Sequence, residues 1–424
     1  MPFVNRLLHK IQSKRAATQS PESSQAHFDQ EEDELPSPSW LHRCAHYLHR
    51  EITLDRGFDH GLVIAGLALL FLGWIMVSSA SSELATSRYG SLFFFSVRHL
   101  IFLLIGLSAA AIVLLIPLRW WQANSFYLLL SALVLLLLVL IPGIGREVNG
   151  SVRWISLGPI NVQTTEIAKV FVVVFFAGYL VRHLQAVRYQ AKYALLRPLL
   201  VIGILCVLVL EQPDFGATVV IAGTSAGMLF MAGMRWFHVI LVVLAGTGMA
   251  VLLVIVAPYR MQRLTSFIDP WAHQFDTGYQ LTQALIAFGR GHWDGLGLGN
   301  SVQKLFYLPE AHTDFVFAVL AEELGLLGAC ITLALFILLV YRALNIGRRA
   351  EATGLLFAAY TSYGISLIFA IQVFINIGVN TGLLPTKGLT LPLMSYGGSS
   401  LVMSCVMLAL LLRVDHETRQ HTSP

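Results

Sequence analysis

The sequence predicts an all-α polytopic integral membrane protein, and three observations carry that prediction. Hydrophobic residues make up 56% of the 424 positions and charged ones only 12%, against about 25% charged in soluble domains. Apolar runs of the roughly 20 residues needed to cross a hydrocarbon core recur along the chain, where a soluble core would alternate polar and apolar positions. Lys and Arg collect in alternate loops, as they do on the cytoplasmic side of a membrane.

In chain order, residues 1–57 form a polar, charged tail with the stretches QSPESSQ and QEEDELPSPSW, a composition expected to be disordered. The tail is too long and hydrophilic for a cleaved signal peptide, so the first span is expected to act as an anchor. Its basic clusters RLLHKIQSKR and HRCAHYLHR either touch an anionic leaflet or are simply solvated. Residues 58–412 then carry about ten predicted spans, near 59–80, 94–116, 124–142, 165–183, 197–211, 215–233, 236–257, 314–341, 354–377 and 390–412, followed by a short tail, 413–424. Only Gln212, Pro213 and Asp214 separate the fifth and sixth, in a turn that is either re-entrant or at the outer surface.

Arg119, Arg182, Arg188, Lys192, Arg197, Arg235, Arg342, Arg348, Arg349, Arg413 and Arg419 then mark the inside, which puts both termini in the cytoplasm. The longest interruption, 258–313, faces outside. A loop of that length is expected to have a function of its own. Cys44, Cys206, Cys330 and Cys405 are scattered singly and read as small apolar fillers.

Each charged motif has a plain structural reading beside a functional one. Arg153, in NGSVRWI, falls in an outside loop; it either holds an anion or snorkels beside Trp154. Thr165 is placed to N-cap the fourth span. Glu166 and Lys169 share a helical face, and form a structural ion pair or mark an intramembrane cavity. Asp214 follows Pro213 and can cap the next helix.

The run Gly289, Gly291, Gly295, Gly297 and Gly299 follows no strand and opens no βαβ unit, so it is not a dinucleotide fingerprint. It either cradles phosphate oxygens or bends. His273, His292 and His312 lack metal-site spacing; no metal ligands are assigned, and a divalent cation (Mg or Mn) shared with a pyrophosphate stays open. Thr313 or Asp314 can cap the eighth span, while an Asp flanked by Glu310 and His312 also suits a general base. Glu322 and Glu323, deeper and on different faces, are expected to face a polar cavity. In 376–400, the small residues of SYGGSS, Ser395 among them, permit close helix packing, and Lys387 is placed for a phosphate.

Taken together, NGSVRWI, EQPDFG, the glycine-rich loop, PEAHTDF and the 376–400 stretch resemble, in order and spacing, the SEDS family (shape, elongation, division and sporulation) of bacterial cell-wall synthases over residues 59–412. GNSVQKLFYLPEAHTDF and the polar N-terminal tail resemble its division-associated branch. One departure is Gln163-Thr164-Thr165-Glu166, where the family usually has Gln-Pro-Ser-Glu.

The resemblance implies a peptidoglycan glycosyltransferase of the bacterial inner membrane that polymerises lipid II at the division septum and releases undecaprenyl pyrophosphate. It implies Asp314 as the base, with Arg153, Lys169, Arg260, Arg263 and Lys387 as candidate cations at the pyrophosphate. Glu166, Glu310, His312, Glu322 and Ser395 complete the candidate substrate-binding set. Implied partners are lipid II and other undecaprenyl lipids, a class B penicillin-binding protein transpeptidase and other division membrane proteins, with no nucleic acid. A lipid II flippase and a non-catalytic scaffold for the transpeptidase are the alternatives.

Overall fold

A computed structural model describes residues 57–148, 150–158, 160–189, 192–235, 237–238, 240, 244, 246, 248, 266–385 and 388–422. The predicted span 236–257 and the site candidates Arg260, Arg263 and Lys387 therefore lie wholly or mostly outside the described residues.

The elements in order are α1 His60–Ala80, α2 Ser82–Tyr89, α3 Phe94–Leu115, α4 Leu118–Ala123, α5 Ser125–Leu140, β1 Gly145–Val148, β2 Ser151–Leu157, β3 Ile160–Gln163, α6 Thr164–Arg188, α7 Lys192–Leu210, α8 Phe215–Met231, α9 Tyr279–Gly291, α10 Val316–Ala352, α11 Leu356–Asn380 and α12 Gly398–Thr422. Among the described residues, α1, α3, α6, α10, α11 and α12 are long and apolar enough to cross a membrane. The shorter apolar helices are α5, the Leu196–Leu210 part of α7, and α8. The protein is an integral membrane protein. Along its most apolar stretch α11 is 72% buried and α3 only 17%. That contrast puts α11 at the centre of the bundle and α3 on its rim, where exposed Leu100, Ile101, Leu104 and Ile112 face lipid.

Between α5 and α6, where the sequence reads as loop, the chain forms an antiparallel sheet in the order β1-β2-β3. Trp154 pairs with Gln163, and Ser156 with Asn161. Gly150 and Gly158 turn the chain at positive φ. The apolar and polar residues of SVRWISL alternate loosely, and the segment is too short to register beside the long apolar runs. The sheet carries Arg153 on its middle strand and delivers the chain into α6. Gln163, not Thr165, is the N-cap of α6, and no side chain caps it.

Helix α10 is longer than predicted and broken at Gly325, whose backbone (φ 67°, ψ −168°) leaves the helical region. A broken helix frees main-chain groups that must find partners elsewhere. The carbonyls of Glu322 and Glu323 accept from Leu296 N at 2.9 Å and Gly297 N at 3.0 Å, while Leu326 N and Leu327 N donate to His292 O and Trp293 O at 3.0 and 3.3 Å. The glycine-rich loop is therefore a seal on the break. Gly295 sits at φ +80°, and a Cβ there would collide with the Glu323 carbonyl. Gly295→Val is expected to lower stability by about 1–3 kcal/mol from overpacking alone, read as a lower Tm in detergent.

Glu322 and Glu323 are both fully buried. Glu322 accepts from Ser301 Oγ, from Val302 N (3.3 Å) and from Gln303 N (3.2 Å), and pairs with Arg290 at 3.3 Å. Glu323 accepts from Ser79 Oγ at 2.6 Å and Ser301 N at 3.3 Å, and pairs with Lys304 at 3.4 Å. The two adjacent acids were expected to diverge, but both bind the 301–304 segment. Paired and multiply hydrogen-bonded, they avoid the cost of burying a bare charge.

At the opposite end, Arg349 bridges Asp59 (3.0 Å) and Asp415 (3.1 Å), and Asp59 N donates to Asp415 Oδ2 at 2.8 Å. This network joins α1, α10 and α12. It also explains why α12 runs on to Thr422 where a tail was expected from 413: Asp415 pairs with Arg419 at 2.9 Å and Arg413 with Glu417 at 2.7 Å, each one helical turn apart.

Candidate active site

The candidate site forms where four segments meet: strand β2, the start of α8, the turn before α10 and the Gly388–Leu391 loop. Asp214 does cap α8, accepting from Ala217 N at 3.0 Å. Its second oxygen faces Arg153 Nη1 at 3.4 Å and accepts from Gln163 Nε2 at 3.3 Å and Thr165 Oγ1 at 3.4 Å. Thr165, expected as a cap, is thus a ligand of the capping acid. Asp214 is nearly fully buried, whereas the Arg153 side chain keeps 21% of its surface exposed. One of its nitrogens, Nε, is buried without a hydrogen-bond partner, so the guanidinium has donor capacity left for an anion.

Asp314 does not cap a helix. The N-cap of α10 is Phe315, with no side-chain cap bond, and Thr313 Oγ1 turns back to Glu310, donating to its carboxylate at 2.7 Å. The simplest structural role for the Asp314 carboxylate is therefore removed. A Cβ on Gly388 would lie 3.0 Å from Asp314 Oδ2 and 3.9 Å from Arg153 Nη2, so one glycine touches both charged groups. Burial pushes the Asp314 carboxyl up to about 7, the nearby Glu310 and Asp214 charges add to the rise, and Arg153 opposes it. The His312 ring, tilted against Phe95 at 4.9 Å and Tyr396 at 5.5 Å between centroids, is held below the usual imidazole range, chiefly by burial, with Glu310 opposing. It forms part of an aromatic wall.

Two residues of the 376–400 stretch that carry no assignment in the sequence analysis are central here. Asn376 Nδ2 and Asn380 Nδ2 donate to the Asp314 carbonyl at 2.9 and 3.0 Å. Their spacing, four apart in an apolar span, was the available signal, since buried amides must be bonded.

The family described as Cell cycle protein, which groups FtsW, RodA and SpoVE, matches residues 60–420. The chain belongs to this family. A probable peptidoglycan glycosyltransferase FtsW of Halomonas elongata is 57% identical over 382 residues, 90% of this chain and 96% of that protein. One from Pseudomonas fluorescens is 54% identical over 372 residues, 87% and 91% respectively. A chain of a solved peptidoglycan synthase complex that coordinates polymerization and crosslinking superposes with TM-score 0.71 at 28% identity, covering 87% of this chain and 99% of that one. The rod shape determining protein RodA of Thermus thermophilus gives 0.63 at the same identity and coverage.

The remaining candidates of this FtsW/RodA/SpoVE-family chain divide by surroundings. Lys169 and Glu166 form a buried ion pair at 2.7 Å on α6. Glu310 stands beside Asp314 at positive φ. Glu322 is committed to the sealing loop, and Ser395 Oγ accepts from Leu391 N at 2.8 Å, closing a turn. These last two have structural partners that account for them. Among the described residues no group of three or more His, Cys, Asp or Glu could hold a metal ion.

Proposed function

We propose that this chain is a peptidoglycan glycosyltransferase that polymerises lipid II during septal wall synthesis, with Asp314 as general base. The observation that carries the reading is the Asp314 carboxylate: capping no helix, packed beside Gly388 within the electrostatic reach of Arg153, and tuned to about 7, the range in which a base works at neutral pH. Asp314 takes the proton from the 4-hydroxyl of the acceptor sugar as that oxygen bonds to the donor's anomeric carbon. The bond from that carbon to the pyrophosphate oxygen breaks, and undecaprenyl pyrophosphate leaves with the electron pair.

Arg153 offers an N–H to the departing phosphate, where donors aimed at developing charge contribute most. Arg260, Arg263 and Lys387 are further candidates for that role. Any divalent cation here would take ligands from the substrate's phosphates as well as from protein. The similarity to FtsW proteins supports a septal location, and the distribution of Lys and Arg supports 1–57 and the C-terminal end in the cytoplasm. The synthase complex supports a class B transpeptidase partner.

The test is strand synthesis from lipid II by purified protein, alone and with its transpeptidase, across pH 5–9. A base must be deprotonated to act, so the rate is expected to rise with pH through about 7 and to fall away below it. A rate independent of pH, or no polymer at all, overturns the assignment.

A further inference from the structure

We propose that Asn376 and Asn380 are positioning residues that aim the Asp314 carboxylate by fixing its main chain from α11. This rests on the reading of Asp314 as the base, and goes beyond it by assigning how the base is held. The two amides lie one helical turn apart on α11 and converge on one carbonyl, that of Asp314. Asn376 Nδ2 also donates to Leu389 O at 2.6 Å, next to the glycine that faces the Asp314 carboxylate. Asn380 Oδ1 accepts from Ala318 N at 3.2 Å, and its amide donates back to Asn376 O at 2.8 Å.

Phe315, the N-cap of α10, makes no side-chain cap bond. Asn380 therefore supplies from another helix the side-chain acceptor that the local sequence lacks, for a first-turn N–H that it shares with the Phe315 carbonyl. Three segments are tied to one face of α11: the turn that carries Asp314, the first turn of α10, and the loop that carries Gly388. Asn376 and Asn380 are themselves 2% and 0% exposed, so their role is not contact with bulk solvent. Asp314 is anchored through its carbonyl, which leaves the carboxylate free to accept a proton.

Positioning predicts a signature that a purely structural bond would not give. A displacement of about 1 Å at a reacting group costs on the order of 100-fold in rate, and a carboxylate released toward water returns toward its ordinary range, about 4. The experiment measures kcat, KM for lipid II and the pH–rate profile in lipid nanodiscs for wild type, Asn376→Leu, Asn380→Leu and Asn380→Asp. The Asp variant keeps the acceptor for Ala318 N and loses the donors to Asp314 O and Asn376 O, so it remains informative if the Leu variants fail to fold.

Folded Asn380→Asp is expected to lose kcat by about 10- to 100-fold with KM unchanged, and the acid limb to move below 7 in folded Asn376→Leu or Asn380→Leu, which add no charge beside Asp314. Unchanged kcat in folded Asn380→Asp, or an unmoved limb in a folded Leu variant, overturns the proposal and leaves the pair as structural bonds. Failure of the wild type to make polymer instead defeats the glycosyltransferase reading itself, a separate outcome visible in the control.

Discussion

Asp314→Asn is expected to abolish strand synthesis while leaving the protein more stable than wild type above neutral pH. General-base catalysis contributes about 100- to 10,000-fold, and Asn keeps the shape of the side chain without the charge. The stability change follows from the weakened acidity of the Asp314 carboxyl. The Asp314 carboxyl binds its proton more tightly folded, at about 7, than at the ordinary 3.8. Wild type therefore loses stability as pH climbs from about 4 to 7, with the full cost present above 7. An amide does not titrate, so the variant escapes that cost, as often happens when a strained functional group is removed. Tm across pH 5–9 and lipid II polymerisation check the two points, and transpeptidase capture confirms that the variant is folded. If Asp314→Asn polymerises like wild type, the base lies elsewhere; only a wild type that makes no polymer lets the flippase or scaffold readings regain ground.

The second large effect is expected at the Glu166–Lys169 pair. Both side chains are almost entirely buried, at 3% and 1% exposure, inside a segment that crosses the membrane. Lys169→Met leaves Glu166 buried without its counter-charge, an arrangement that costs about 3–5 kcal/mol. Removing both charges, as Glu166→Leu with Lys169→Met, is expected to restore most of the lost stability, since a buried pair is often no better than apolar groups of similar volume. Thermal unfolding in detergent measures both variants. The double variant also separates two roles for Lys169: stable and active protein means the pair is structural, and stable but inactive protein means the ammonium is needed by the substrate.

Much of the bundle was legible because hydropathy is local. The predicted span 59–80 is α1 His60–Ala80, and 94–116 is α3 Phe94–Leu115. The Glu166–Lys169 pair followed from helical spacing, and the Asp214 cap from the proline before it. What was not legible depended on partners far away in sequence. Thr165 looks like a cap until Asp214, 49 residues on, claims its hydroxyl. Thr313 and Asp314 look like caps because nothing nearby reveals that Asn380, 66 residues later, holds the Asp314 carbonyl and also serves the first turn of α10. The glycines 291–299 were ambiguous for the same reason: only the break at Gly325 says what they must approach. The small sheet was hidden because strands of four and seven residues leave a weak pattern beside such long apolar runs.

The break in α10 also sets a height. From Leu326 to Ala352 the helix is continuous, and at 1.5 Å per residue it is about 40 Å long, against a hydrocarbon thickness of about 30 Å. That length suffices to cross the bilayer and carry Arg349 beyond the inner boundary to Asp59 and Asp415. The two turns of helix above the break, Val316–Glu323, are then not needed for crossing. They form a pedestal held by the sealing loop, with Asp314 at its top. With Asp314 as the proposed base, a sugar linked to a lipid through pyrophosphate reaches it without being drawn out of the bilayer.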